Sequence, residues 1–84
     1  MVFDDQGEVT PDGLVIRRMR RGRGWSRRAF IEAIADACVR ETGLRETISP
    51  QLLEHIEETS EPVPYETLCR IAAGLDCNPV ELVS

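Results

Sequence analysis

The sequence has little of what metal centres, membrane anchors and secreted proteins need. It contains no lysine, a single histidine (His55), and no apolar run near the roughly 18 residues of a membrane span. Its first five residues are acidic overall and lack the basic start and apolar stretch of a signal peptide. We therefore expect a cytoplasmic protein that does not contact a membrane.

Cysteine and glycine are also too sparsely placed for most catalytic and metal sites. Cys38, Cys69 and Cys77 leave one thiol unpaired under any disulfide pairing, and no C-x2-C pair is present to hold a metal. Gly22 and Gly24 lack the further glycines and the preceding strand of a phosphate-binding loop. We expect reduced thiols, no metal, no cofactor and no enzymatic activity.

Charge is distributed unevenly along the 84 residues, whose net charge is −5. Seven arginines and no acid lie between Arg17 and Arg28, whereas the rest of the chain has three arginines and fifteen acids. Six acids and no basic residue lie between Glu46 and Glu66. A basic segment this dense can bind phosphates, although an arginine-rich helix can also simply face water.

Helical periodicity begins near residue 13. Residues 1–12 have no apolar periodicity and are predicted to form a flexible N-terminal tail or a loosely docked arm. A first helix is predicted from Asp12 or Gly13 to about Arg21. Its inward face is expected to carry three apolar residues, Leu14, Val15 and Met19. Residues 13–84 then form a single domain.

Two further helices begin at serine residues that are typical N-caps. Ser26 is expected to begin a second helix, which continues to about residue 41 before the C-cap residue Gly43. Ser49, followed by Pro50 at the first helical position, is expected to begin a third helix. The connection between these two helices is long for a pair of packed helices.

Two shorter helices are predicted near the C-terminus, one from Tyr65 to about Ala73, closed by Gly74, and one over residues 80–83 after Asn78. No alternating pattern typical of a strand is present. The predicted fold class is therefore all-α, a bundle of five short helices.

Five motifs follow one another in this chain: Ile16-Arg17-Arg18-Met19-Arg20, Gly24-Trp25-Ser26, Ile48-Ser49-Pro50-Gln51-Leu52-Leu53-Glu54-His55-Ile56-Glu57, Glu66-Thr67-Leu68-Cys69-Arg70-Ile71-Ala72-Ala73-Gly74-Leu75 and Asn78-Pro79-Val80-Glu81-Leu82. Their order resembles the helix-turn-helix domain of the lambda-repressor-like, Cro-type (XRE) transcription regulators. The resemblance covers about residues 14–83. It implies a compact five-helix lambda-repressor-like bundle, here with an extended helix 2–helix 3 connection.

The chain departs from that family at three places. About a dozen extra residues, 35–46, lengthen the second helix and its connection, and the glycine usual after the third helix is replaced near Thr59. The third helix and the loop after it are acidic where family members carry polar or basic residues. The acids are Glu54, Glu57, Glu58 and Glu61. By resemblance, Glu57 is structural and pairs or caps within the domain.

The resemblance implies which residues contact DNA. The third helix enters the major groove, where a glutamine amide suits adenine and a carboxylate accepts from cytosine. The expected base contacts are Gln51, Glu54 and His55. The expected phosphate contacts are Arg17, Arg20, Arg23, Ser26, Arg27, Arg28 and Ser49.

Two functions remain open from the sequence. The first is a sequence-specific DNA-binding transcriptional regulator, such as a small nucleoid-associated repressor, that binds double-stranded DNA as a homodimer through Val80, Leu82 and Val83. The alternative is a protein-interaction module or antitoxin-like partner whose acidic third helix binds a basic protein. The operator, the direction of regulation and the pathway are not specified by these residues.

Overall fold

The helices begin at capping residues in the computed structural model, which describes residues 7–84. The elements are β1 (Glu8–Val9), α1 (Gly13–Gly22), α2 (Arg27–Thr42), α3 (Pro50–Thr59), β2 (Val63–Pro64), α4 (Tyr65–Leu75) and a 3₁₀ turn (Pro79–Leu82). The side chains of Asp12, Ser26 and Ser49 accept hydrogen bonds from the backbone N–H three residues further on, at 3.2, 3.1 and 3.0 Å. The N-caps predicted at Ser26 and Ser49 are therefore confirmed.

Residues in the left-handed backbone conformation end three of the helices. Gly43 ends α2 at φ 82°, as expected for a glycine C-cap. After α3 the same conformation falls on Ser60, at φ 54°, which is unfavourable for a residue with a Cβ atom. The prediction that Gly74 closes α4 is wrong, because the helix continues through Gly74 to Leu75 and its C-cap is Asp76, at φ 57°.

The chain between residues 7 and 84 is mainly helical, with four α-helices rather than the five predicted. The expected fifth helix is one 3₁₀ turn that begins with a capping box. The N–H of Asn78 donates to the carboxylate of Glu81 at 3.1 Å, and the side-chain oxygen of Asn78 accepts from the N–H of Val80 at 3.0 Å. The turn does not continue because Val83 is already extended. Val83 instead forms a β-bridge with Pro11.

The segment predicted as a flexible N-terminal tail or a loosely docked arm, residues 1–12, is described from residue 7 onward. Residues 1–6 lie outside the described residues, but residues 7–12 run along the C-terminal half of the chain. Here β1 pairs antiparallel with β2, so that Val9 lies opposite Val63. A ladder of two residues per strand is too short to give an alternating pattern, which is why the sequence did not indicate it.

Backbone hydrogen bonds continue this contact to the last residue. The N–H of Asp12 donates to the carbonyl of Leu82 at 2.6 Å, and the N–H of Ser84 donates to the carbonyl of Thr10 at 3.0 Å. The two ends of the described chain are therefore held together beside the start of α1.

The hydrophobic core lies between α2 and α4 and is closed by α1 and α3. Its fully buried large side chains include Ile16, Phe30, Ile34, Leu53, Ile56, Leu68, Ile71, Leu75 and Leu82. The inward face predicted for α1 is wrong at Leu14, which is 65% exposed. The inward positions of α1 are instead Gly13, Ile16 and Arg20.

Candidate nucleic-acid interface

The first two turns of α3 present three polar side chains to solvent. Leu53 and Ile56 are fully buried and fix the orientation of the helix. Gln51, Glu54 and His55, spaced three and four residues apart, therefore share the opposite, exposed face. These are the three residues predicted from the sequence to contact bases, and the fold brings them together.

His55 is held by an acid from the loop after α3. Its Nε2 lies 2.7 Å from Oε1 of Glu61, and the two side chains are 50% and 62% exposed. The pair gives the imidazole a fixed partner at the edge of the α3 face.

Arg20 and Glu57 form a buried ion pair between α1 and α3. The Nε and Nη2 of Arg20 donate to the two carboxylate oxygens at 2.7 and 3.0 Å, and Nη1 donates to the carbonyl of Trp25 at 2.8 Å. The two residues are only 7% and 3% exposed. The prediction that Arg20 contacts a phosphate is therefore corrected, because its guanidinium is enclosed, whereas the structural role predicted for Glu57 is confirmed.

Arg27, at the start of α2, lies against the carboxylates of α3. Its Nε donates to Oε1 of Glu57 at 3.1 Å, and its Nη atoms lie 3.5 Å from Glu58 and 3.9 Å from Glu54. The side chain remains 28% exposed. One arginine thus partly neutralises three acids, so the negative charge that the sequence places on α3 is offset in the folded chain.

Arg23 is also used inside the protein. Its Nη atoms donate to the carbonyls of Met19 at 3.2 Å and Leu75 at 2.6 Å, and its guanidinium lies 5.7 Å from the centre of the Trp25 ring. These contacts join the end of α1 to the end of α4. These bonds use two of its five N–H donors, and the exposed side chain keeps the others for the phosphate contact predicted from the sequence.

Four other arginines of the basic segment, residues 17–28, make no ion pair in the part of the chain that the structure describes. They are Arg17, Arg18, Arg21 and Arg28, and all but the half-buried Arg17 are exposed. Arg17 and Arg28 were predicted to contact phosphates, but Arg18 and Arg21 were not. The available signal was the spacing of Arg21, four residues after Arg17 and three after Arg18, because residues three or four apart share one side of a helix.

The two serines predicted to contact phosphates have their hydroxyls at helix starts. The hydroxyl oxygens of Ser26 and Ser49 accept from backbone N–H groups, and both residues are exposed. Each hydroxyl therefore keeps its own proton free to donate. Both serines stand beside the positive end of a helix dipole, which favours an anion.

The long connection between α2 and α3 is held against neighbouring helices. Arg45 pairs with Glu32 at 2.8 Å and with Asp36 at 3.0 Å on α2, and the hydroxyl of Thr47 donates to the carbonyl of Ile31 at 2.9 Å. These contacts fold the extra residues back along α2. They limit the freedom that a longer connection would otherwise give to the angle between α2 and α3.

All three cysteines are free thiols. Burial raises the pKa of the Cys38 and Cys77 thiols, which keeps them in the less reactive protonated form near neutral pH. Between residues 7 and 84, no group of three or more His, Cys, Asp or Glu side chains converges to hold a metal ion. Over the same residues, no helix has the length and apolar character needed to cross a membrane.

Comparisons with family models, curated proteins and solved structures found no match to this chain. Function is therefore inferred from the contacts and charges of the chain itself. The features that carry it are the exposed face of α3 and the arginines beside it.

Proposed function

We propose that the chain is a sequence-specific DNA-binding transcriptional regulator of the lambda-repressor-like helix-turn-helix type. In this proposal α3 enters the major groove and α2 lies across the DNA backbone. The observation that carries it is the exposed face of α3, where Gln51, Glu54 and His55 stand together at the start of a helix whose other face is fixed in the core. The N-terminal residues of such a helix are those that contact base edges.

Gln51 is the residue best suited to recognise a base. It is exposed in the first turn of α3, and no hydrogen bond occupies its amide in the described structure. The NH₂ group of a glutamine amide donates to adenine N7, while its carbonyl oxygen accepts from the N6 amino group. Such a pair contributes about 1–3 kcal/mol of discrimination against another base.

The acids of α3 oppose DNA binding unless they are neutralised. Arg27 partly neutralises Glu54 and Glu58, since its guanidinium lies within 4 Å of both carboxylates. Glu54 also lies in the second turn, where it can accept a hydrogen bond from a cytosine amino group. The arrangement therefore permits α3 to approach DNA. It weakens binding to DNA sites where the carboxylates of α3 meet neither Arg27 nor a cytosine amino group.

Homodimer formation is part of the proposal, because two modules bound to two half-sites double the contacts of a small domain. Of the residues predicted for the dimer contact, Leu82 is excluded, since it is fully buried in its own core. Val80 is 67% exposed, and with Tyr65 and Val83 it lines an apolar groove of about 620 Å³. Sedimentation of one chain mass at tens of micromolar, with and without DNA, would exclude pairing through this face.

The alternative is a protein-interaction module that binds a basic partner. The observation that favours it is the exposed row of acids Glu54, Glu58 and Glu61 along α3 and its following loop. In that case the arginines of α1 play no part in the complex. The negative charge of α3 weakens DNA binding but strengthens binding to a basic protein. One substitution that removes a charge from α3 can therefore distinguish the two functions.

The proposal is tested by fluorescence anisotropy with a mixed-sequence DNA duplex at low salt, repeated at higher salt. We expect log K to fall linearly with log salt, since each phosphate contact releases counterions. Glu58→Gln should then strengthen DNA binding by a few tenths of a kcal/mol to about 1 kcal/mol, because it removes an exposed like charge and frees Arg27.

A basic protein partner would give the opposite sign. Glu58→Gln should then weaken that complex and leave any DNA binding unchanged. No binding to the duplex at low salt would reject the DNA-binding function outright.

A further inference from the structure

One side of α1 carries a groove walled by arginines that the α3 face does not include. Its lining residues are Leu14, Arg17, Arg18, Arg21 and Gly22, and its volume is about 620 Å³. We call this surface the arginine groove. Within residues 7–84 its three guanidinium groups make no ion pair, in contrast to Arg20 and Arg27, which are bound by Glu57.

A second observation, at Arg17, also indicates that the groove lacks a binding partner within the fold. Its Nε is buried and has no hydrogen-bond partner in the described structure. A buried donor without an acceptor is unfavourable, and in native proteins such a group is usually satisfied by water, an ion or a ligand. Arg17 is therefore held at the edge of the groove with a donor that is not used inside the fold.

The arginine groove lies on the outer side of α1, and Arg17 is its lining residue nearest to α3. The N–H of Gly13 donates to the hydroxyl of Ser60 at 3.0 Å, just after α3, and Arg20 reaches Glu57 on α3. On the other side of α1, Arg23 bonds to Leu75 at the end of α4. Since successive helical residues are about 100° apart, Arg17 falls next to the α3 side of α1, whereas Arg18 and Gly22 face away from both α3 and α4.

We propose that the arginine groove binds phosphate groups of a nucleic-acid backbone, beside the base contacts made by α3. The source of the phosphates, duplex DNA, rests on the function proposed above. Because Arg20 and Arg27 are bound by Glu57, the groove assigns the main cationic contacts of α1 to Arg17, Arg18 and Arg21. These contacts add to those of Ser26 and Arg28 at the start of α2.

The chemistry of the groove favours phosphate over an acidic protein segment. Guanidinium groups are planar forks of N–H donors that match phosphate oxygens in pairs. Exposed ion pairs with single carboxylates contribute little, whereas a polyanion also gains from the release of its condensed counterions. Leu14 is the one large apolar side chain of the lining, so the groove has few anchors for a protein partner.

The first experiment measures the salt dependence of binding to a mixed-sequence duplex. The variant Arg18→Ala/Arg21→Ala removes two exposed arginines of the groove. The control is Arg40→Ala, which removes an exposed arginine near the end of α2 that makes no ion pair within residues 7–84. We expect the slope of log K against log salt to become shallower by about 1.8 in the groove variant and to stay unchanged in the control, at about 0.9 per lost phosphate.

The second experiment needs no DNA. Inorganic phosphate is titrated into the wild-type protein while the Nε–Hε signal of Arg17 is followed by NMR. We expect a saturable shift of that signal, which is reduced in Arg18→Ala/Arg21→Ala and kept in Arg40→Ala. Circular dichroism of both variants checks that these exposed substitutions leave the fold intact.

The two experiments distinguish failure of the groove from failure of the proposed function. If the protein binds duplex DNA but the groove variant keeps the wild-type slope, the groove proposal is overturned and DNA binding stands. If phosphate shifts the Arg17 signal but no duplex binds, the groove is a phosphate site and the DNA-binding function is rejected. If neither occurs, both are rejected.

Discussion

The contact between α2 and α4 and the contact between α1 and α3 are built from different chemistry. Between α2 and α4 the contact is apolar, with Ile34 packed directly against Gly74. Between α1 and α3 it is polar, with a buried Arg20–Glu57 pair and a close approach of Gly13 to the last carbonyls of α3. The apolar contact supplies the core, and the polar contact orients the helix that we propose enters DNA.

The difference is informative because the two contacts resist different changes. Burial of an ion pair gives little net stability compared with an apolar replacement, but removal of one partner leaves a charge without compensation. The α1–α3 contact is thus expected to be specific in geometry and intolerant of single changes. The α2–α4 contact should tolerate changes that conserve volume.

The largest effect is expected when the polar contact loses its shared carboxylate. Glu57→Ala leaves the buried guanidinium of Arg20 uncompensated and also frees Arg27. We expect a loss of about 3–5 kcal/mol of unfolding free energy in urea denaturation. The matched control is Glu54→Ala, whose carboxylate is half exposed and 3.9 Å from Arg27, and it should stay within about 0.5 kcal/mol of wild type.

Equal losses in those two variants would contradict a buried, specific pair. The comparison is sharpened by the double variant Arg20→Met/Glu57→Leu, which replaces both charges with apolar side chains. It should recover much of the stability lost in Glu57→Ala. Because it removes the bidentate pair, it should recover less of any DNA binding than of stability.

A smaller effect is expected when alanine replaces the glycine in each contact. At Gly13 an added Cβ would meet backbone carbonyl oxygens of α3, including that of Glu57 at 2.8 Å, which cannot move without the helix. At Gly74 it would lie 2.6 Å from Cγ1 of Ile34, a fully buried side-chain atom rather than a backbone oxygen, and 3.1 Å from its Cα.

Gly13→Ala should therefore cost about 3 kcal/mol and Gly74→Ala about 1–2 kcal/mol, measured by urea denaturation. Gly22→Ala is the control, because nothing lies within 4 Å of its added Cβ, and it should leave stability unchanged or slightly raised. A greater loss at Gly74 than at Gly13 would mean that the apolar contact is the more rigid of the two.

The smallest effect concerns pH and the thiol of the apolar contact. Burial raises the pKa of Cys38 above its ordinary value of 9.0. The folded state therefore keeps the thiol proton to a higher pH than the unfolded state, so the stability from this group is complete below about pH 9 and falls as pH rises beyond it.

We expect the unfolding free energy to fall between pH 8 and pH 10 more in the wild type than in Cys38→Ala. Reduced protein and anaerobic buffer keep oxidation out of the comparison. Parallel pH profiles for the two proteins would show that Cys38 is not buried in its protonated form.

The same division explains how much was predictable from the sequence. The caps at Ser26, Ser49 and Gly43 and the apolar face of α3 follow from local rules, so these helices were located correctly. Arg20 was assigned to the surface because a lone sequence does not reveal the acid, 37 residues away, that makes its burial possible. Long-range polar pairs have no periodicity to indicate them.

The strand pairings of the terminal segments were not predicted, for a related reason. The pairing of β1 with β2, and of Pro11 with Val83, depends on backbone hydrogen bonds between distant residues. Side-chain pattern says little about contacts of one or two residues. The base-contact candidates on α3 were placed together correctly, because helical spacing alone determines which residues share its exposed face.

The most direct test of the proposed function is selection of duplexes from a random library, carried out in parallel with wild type and Gln51→Ala. We predict that the wild type enriches a defined motif and that Gln51→Ala retains the motif except at one base pair, where it loses about 1–3 kcal/mol of discrimination. No enriched motif with the wild type, or the same motif at full strength with both proteins, would contradict the assignment of α3 to the major groove.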